Sequence, residues 1–318
     1  MILNDLLKNN PIWLVDIGAS GGIDLRWRKF TSSLQAILFE PDPREYEILK
    51  SKRRENLIIF NCALSDSIKE INFYLCKKQE TSSIYLPNFD FIDKFPESER
   101  YKVLKTIKME TDTLDNQLEK NNITEIDFIK IDTQGHELPI LQGSINSLRN
   151  VIGLELEVEF TYLYKDQPLF HEVDSFVRKM DFELFDIRRY YWKRNDECNY
   201  GRHKGQLIFG DALYFKSPEQ VLLMGDITLE KIVRSICLYL VYGYLDLAHI
   251  LSDIARSKGL LTAETYDTVG LVISKVREKN PIPNFKGKGI IKNILQQITN
   301  LFSDNGWYSG TDNSVGNP

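Results

Sequence analysis

The chain has 318 residues, with 40 lysines and arginines against 45 aspartates and glutamates, for a net charge of −5. That length suits one large domain or two smaller ones with ample apolar content for a core. The mild acidity argues against any global pull toward nucleic acid or anionic membrane and leaves only a local basic patch open. The four cysteines, Cys62, Cys76, Cys198 and Cys237, form no Cys-x-x-Cys pair. A zinc knuckle or dithiol motif is therefore disfavoured, and reduced thiols in a cytosol are expected.

The start, "MILNDLLKNNPIWLVDIG", lacks the basic flank, apolar run and cleavage site of a signal peptide, so a cytoplasmic location is expected. Residues 12–17, "IWLVDI", end at a Gly-rich turn and read as a buried parallel strand. A second strand is expected in "QAILFEPDP" (35–43), ended by its prolines, then a helix over 45–56 and a third strand in "LIIFNCALSD" (57–66). "EINFYLC" (70–76) alternates and predicts an edge hairpin, while 77–105 is polar and irregular, a candidate lid. A helix over 111–121, a strand and turn in "EIDFIKIDTQGHE" (125–137), and a continuous helix over 138–150 follow. "VIGLELEVEF" (151–160) reads as a strand, 169–180 as a helix, and 182–187 and 205–215 as two further strands. With no helix between them, those last two predict an antiparallel pair at one edge of a largely parallel α/β sheet.

From about Pro218 the pattern is helical only, over 219–258, 262–279 and 290–302. The apolar stretch 232–251 carries Arg234, Asp246 and His249, so a helix buried in protein is expected and not a membrane span. The domain expectation is therefore 1–217 for the α/β unit, 218–302 for an all-α region, and 303–318 for an unstructured tail.

"DIGASGG" (16–22) decides the cofactor. Ligands of open parallel sheets sit at the carboxyl ends of the strands, where a glycine loop lets backbone approach closely. Counted from Gly18, a dinucleotide fingerprint would need glycines at positions occupied by Ser20 and Ile23. The pattern D-x-G-x-(G/S)-x-G fits instead, with Asp16, Gly18, Ser20 and Gly22, which is the loop of S-adenosylmethionine-dependent methyltransferases. Asp16 is placed to take the ligand's ammonium end, and Glu40, which ends the second strand, to accept both ribose hydroxyls.

The stretches "VDIGASGG", "FEPDP", "NCALSD", "TDTLD", "IDFIKIDTQGHELPILQG", "LEVEFTYLY" and "GDALYF" occur in order between residues 13 and 215. Over that span the chain resembles the FkbM-type methyltransferases, a class I group acting mostly on hydroxyl oxygens. The resemblance implies a Rossmann-like, mostly parallel sheet with an inserted antiparallel edge strand. It implies S-adenosyl-L-methionine as cofactor and S-adenosyl-L-homocysteine as product, with the adenine near Ala63 and Leu64. It covers nothing beyond Pro218.

Methyl transfer is an in-line displacement that needs alignment and a base near a weak hydroxyl nucleophile. Asp132, at the end of "IDFIKID", is the first candidate. His136 and Glu137 follow it, with Glu137 favoured by the resemblance. In "LELEVEF", Glu155, Glu157 and Glu159 share one face. They would line the acceptor pocket, hold a divalent metal with Asp132, or sit on a solvated face; the motifs require no metal. "RRYYWKRN" (188–195) is expected in the loop between the last two strands, with Arg188 and Arg194 for phosphate and Tyr191 and Trp192 for a sugar ring. Ser82 and Ser83 resemble the family's serine pair.

The expected function is O-methylation of a sugar in a cell-surface glycan or of a secondary metabolite, with a nucleotide- or lipid-diphosphate-linked acceptor and no nucleic-acid partner. The alternatives are a non-catalytic scaffold whose C-terminal helices bind a partner or a second copy, and a Rossmann oxidoreductase or epimerase. The missing second glycine and the placement of Asp16 weigh against the last.

Overall fold

A computed structural model describes residues 6–7, 10–28, 31–52, 54–195, 204–225, 227–277, 285–301, 306–312 and 315–317. Cys198 lies outside the described residues, and Cys62, Cys76 and Cys237 are free thiols. The strands are β1 (Ile12–Ile17), β2 (Leu34–Phe39), β3 (Leu57–Phe60), β4 (Ala63–Leu64), β5 (Glu70–Cys76), β6 (Val103–Asp112), β7 (Phe128–Ile131), β8 (Gly153–Glu159), β9 (Glu183–Trp192), β10 (Gln206–Phe215) and β11 (Tyr308–Gly310). The longer helices are α1 (Pro43–Ser51), α2 (Leu114–Lys120), α3 (Glu137–Gln142), α4 (Ile145–Asn150) and α5 (Phe170–Arg178). They continue with α6 (Leu229–Val241), α7 (Leu245–Ser257), α8 (Ala263–Arg277) and α9 (Lys288–Leu301).

The main sheet runs in the order β11, β9, β10, β8, β7, β1, β2, β3. From β8 to β3 all neighbours are parallel. β10 is antiparallel and inserted between β8 and β9, and β11 pairs antiparallel with the outer side of β9. This is the expected mostly parallel sheet with an antiparallel insertion, followed by a helical region.

Several local expectations differ from what is seen. β5 does not join the main sheet; it pairs with β6 in a separate three-stranded sheet, in the order β4, β6, β5. The helix expected over 138–150 is broken into α3 and α4. At Gly143 a Cβ would come within 2.1 Å of the Ser65 carbonyl oxygen, so the chain bends where only glycine fits. "RRYYW" is not a loop: Arg188–Trp192 continue β9. In the stretch expected to be unstructured, Tyr308–Gly310 form β11, Val315 is buried, and the Asn317 N–H donates to the Tyr242 carbonyl at 2.8 Å.

One face of the sheet is apolar throughout. Val15, Ile17, Ile129, Ile131, Leu154 and Leu156 pack there with Leu118, Ile140, Leu148 and Val173 of α2 to α5. The other face is divided. Near the strand starts Leu14, Phe128 and Phe215 pack against Ile232, Ile236, Tyr239 and Leu251 of α6 and α7. The region after Pro218 therefore shares one core with the sheet. It also carries a buried charge cluster, in which Asp127 meets Lys231 at 2.7 Å and Arg234 at 3.0 Å. Among the described residues no helix is long and apolar enough to cross a membrane.

Candidate active site

Toward the strand ends the divided face turns polar. Register places Asp16, Lys130 and Glu155 side by side on β1, β7 and β8. One step further out, Glu157, Asp211 and Arg188 neighbour one another on β8, β10 and β9. Lys130 lies 3.8 Å from both Asp16 and Asp132. Burial works to lower the Lys130 pKa, but Asp16, Asp132 and Glu155 outweigh it and raise it, so the ammonium stays charged. Lys130 was missed at the sequence level, although a lysine within the buried run "FIKI" is itself a signal that counter-charges surround it.

Two cavities open on this edge. The first is an open cleft of about 590 Å³, counting solvent at its mouth, between Gly18, Ser20 and Glu40 on one side and Ala63, Leu64, Phe73, Ile84 and Ile140 on the other. Gly18 has φ +78, and a Cβ there would fall 1.8 Å from the Asp132 carbonyl oxygen, so only glycine lets the two strand tips approach. Glu40 is buried, and its Oε1 accepts the Asp42 N–H at 2.8 Å. Burial pushes its pKa up to about 8. Asp16 is also buried, its Oδ1 has no hydrogen-bond partner, and burial raises its pKa to about 6 against the pull of Lys130.

These residues suit S-adenosylmethionine. Glu40 has free lone pairs for a diol, and the Ala63–Leu64 side offers an apolar wall for a flat base; Asp16 is buried and lines neither cavity, although Ile17 and Gly18 beside it do line the first. Gly22 does not line this cleft. It turns at φ +81 behind the loop and faces Leu49, so its part is to shape the turn. Glu45, unremarked in the sequence, lines the cleft and accepts the Gly21 N–H at 3.0 Å.

The second cavity spans about 1370 Å³, counting solvent at its mouth. It shares Gly18, Ser20, Glu80, Asp132 and Gln134 with the first, so the two meet there. Its further lining includes Glu157, Arg100 and the aromatic residues Tyr101, Trp192, Phe209, Trp307 and Tyr308. Gln134 adopts φ +58 and was also missed at the sequence level. Its amide donates to Asp132 Oδ1 at 3.1 Å and to Glu157 Oε2, and its Oε1 accepts the Tyr164 hydroxyl at 3.0 Å. Burial, then the nearby Asp132 and Glu159, hold the Glu157 carboxyl well above the usual range. Glu155 and Glu159 flank it; Glu159 is buried and Glu155 accepts the Tyr242 hydroxyl at 2.7 Å, so this face is not a solvated one.

The remaining candidates are dispersed. Glu137 lines neither cavity. Its buried carboxylate accepts the Thr133 N–H at 2.8 Å and the Thr133 hydroxyl at 3.0 Å, which fixes the loop carrying Asp132 and Gln134. His136 is not on the surface; it lines the cofactor-type cleft, 3.0 Å from the Ser65 hydroxyl, and burial lowers its pKa to about 4. Ser82 lines the same cleft, and the Ser83 hydroxyl donates to the Gln134 carbonyl at 2.8 Å. Ser83 thus ties segment 77–88 to the loop that carries Gln134. Of the four acceptor candidates only Trp192 lines the second cavity. Arg188 is 3.7 Å from Asp211, Tyr191 lies under Lys204, and Arg194 is exposed past the strand end. Among the described residues no cluster of three or more histidine, cysteine or acidic side chains is arranged to hold a metal.

A glycine loop after β1, a buried carboxylate ending β2 and an antiparallel β10 beside β8 define a class I methyltransferase, the class that uses S-adenosylmethionine. The methyltransferase FkbM domain matches residues 16–184, just over half of the chain, and the protein belongs to that family. No curated protein matches the chain. Among solved structures it is similar to a precorrin-6y C5,15-methyltransferase from Geobacter metallireducens, at 10% identity and TM-score 0.34, covering 68% of this chain and 85% of that one. It is similar too to a putative RNA methyltransferase from Pyrococcus horikoshii, at 11% identity and TM-score 0.29, covering 67% and 81%. Similarities at this level carry no information about the acceptor.

Proposed function

We propose that the protein transfers a methyl group to a hydroxyl oxygen of a sugar, in a glycan or a glycosylated metabolite, presented on a nucleotide or lipid diphosphate. The observation that carries this reading is the junction of the two cavities at Asp132 and Gln134. S-adenosylmethionine, when bound, supplies a methyl group on a positively charged sulfur. Glu40 would hold its ribose, and Asp16, one residue behind the cleft lining at Ile17, would attract its ammonium group by charge.

On the acceptor side, aromatic faces such as Trp307 and Tyr308 suit the C–H faces of a sugar ring, while acidic and amide groups suit its hydroxyls. Asp132 is the proposed base: its side chain is 38% exposed at the junction, so it can reach a bound hydroxyl and take its proton as the new C–O bond forms. Glu157, whose carboxyl burial holds well above the usual range, would donate a hydrogen bond to the acceptor instead. Gln134 and Glu137 position this pair, and Arg100 is suited to a phosphate at the rim.

The test begins with calorimetric titration by S-adenosylhomocysteine, with NAD as control. Binding of the first alone is expected; binding of NAD alone would overturn the reading. Radiolabelled methyl transfer to a panel of sugar nucleotides and lipid-linked sugars then identifies the acceptor. Asp132→Asn is expected to slow transfer by about 10²–10⁴-fold with the S-adenosylhomocysteine affinity retained. Unchanged turnover would remove Asp132 from the role of base.

A further inference from the structure

Residues 285–301 contain Lys286, Lys288 and Lys292 and no carboxylate, in a chain of net charge −5. Within α9, Ile290, Ile291, Ile294, Leu295 and Ile298 recur at helical spacing and fall on one stripe about 140° wide. Asn293, Gln297 and Lys292 lie outside it. A helix of this pattern normally buries its stripe. Here the five side chains are between 47% and 67% exposed, and the preceding Phe285 is 47% exposed.

We infer that α9 is an interfacial helix that lies on an anionic lipid surface, with its isoleucine and leucine stripe among the acyl chains and its lysines at the headgroups. Charge selects this occupant. Pairing with a second copy would bring lysines toward lysines with no carboxylate between 285 and 301 to offset them. A helix with an aliphatic face and only positive charge is what the boundary of an anionic bilayer attracts, each lysine adding to the binding. The location adds a second argument. Trp307 follows Leu301 by only six positions, a span of about 20 Å at most. Trp307 and Tyr308 then form part of the acceptor cavity wall. A lipid-bound α9 would therefore hold that wall near the headgroup layer. The inference does not depend on the methyl-transfer reading, since it concerns attachment and not chemistry.

The test is co-sedimentation of the full-length protein with phosphatidylcholine vesicles, with and without about one third phosphatidylglycerol. The protein is expected to bind the mixed vesicles at least about tenfold more tightly than the neutral ones and to be released by about 0.5 M salt. Ile291→Glu with Leu295→Glu should abolish binding. Lys286→Gln, Lys288→Gln and Lys292→Gln together should weaken it at least about tenfold. Both variants should keep the wild-type circular dichroism and S-adenosylhomocysteine affinity, which separates loss of attachment from loss of fold. Absence of vesicle binding, binding indifferent to headgroup charge, or a wild-type dimer that the Ile291→Glu, Leu295→Glu variant splits into monomers would each overturn the inference.

Discussion

In the proposed function, Glu40 is the residue on which cofactor recognition would turn most sharply. A buried carboxylate with one backbone donor is under-satisfied, and a diol that fills its remaining lone pairs gains affinity. Glu40→Gln is expected to weaken S-adenosylhomocysteine binding by about 1–3 kcal/mol, measured by calorimetry. Wild-type affinity in that variant would remove Glu40 from the site. Gly18, Ser20, Glu40, Ala63, Leu64 and Asp132 were legible in the sequence because close backbone approach and strand-end acids leave a spacing that can be read directly. Gln134 left no such trace. Its part depends on a left-handed backbone, which glutamine seldom adopts, and on three partners brought together by the fold. The burial of His136 is hidden in the sequence for a related reason: it comes from Ser65 and Tyr85, far away along the chain.

At the scale of elements, α6 is fastened by the buried cluster around Asp127, which accepts from Lys231, Arg234 and the Trp13 N–H. Asp127→Ala leaves two cations without their common partner in the core. The expected loss is about 3–5 kcal/mol, measured by denaturant unfolding. A loss below about 1 kcal/mol would mean that Glu125, which meets Arg234 at 2.7 Å, carries the cluster. β11 has a functional counterpart to this fastening. Trp307→Ala removes part of the aromatic wall while leaving the cofactor cleft intact. Acceptor KM is expected to rise by about 10-fold with S-adenosylhomocysteine affinity unchanged. The parallel strands were legible as short apolar runs, because both their faces are covered. β6 was not: Val103–Glu110 are half-buried or exposed along their whole length, so no burial period marks the strand. The outer half of β9 was hidden in another way. Arg188 looks like a loop residue until Asp211 faces it across the sheet, and Trp192 is buried by Phe95, Tyr101 and Phe209 from other elements.

For the molecule as a whole, the concentration of buried acids on one edge sets the response to pH. Burial raises Asp16 to about 6, Glu137 and Asp211 to about 7, and Glu40 to about 8. The folded protein therefore holds protons that the unfolded chain has already released, and stability present at low pH is lost as pH rises through these values. His136, lowered to about 4, acts in the opposite sense, because the unfolded chain takes up a proton first as pH falls below about 6.5. Four raised acids outweigh the one histidine, so the ligand-free protein is expected to lose stability from about pH 5 upward, with Tm declining toward pH 9 in scanning calorimetry. A Tm that climbs from pH 6 to pH 9 would contradict the buried-acid account. The way the chain builds the two cavities has its own consequence for folding. The cofactor-type cleft is lined by residues between Ile17 and Ile140, whereas the adjoining cavity needs Tyr308 beside Gly18. Closing so long a loop costs more entropy than assembling the first strands and their crossovers. The two halves of the proposed site therefore mature on different clocks, the half assigned to the cofactor ahead of the half assigned to the acceptor.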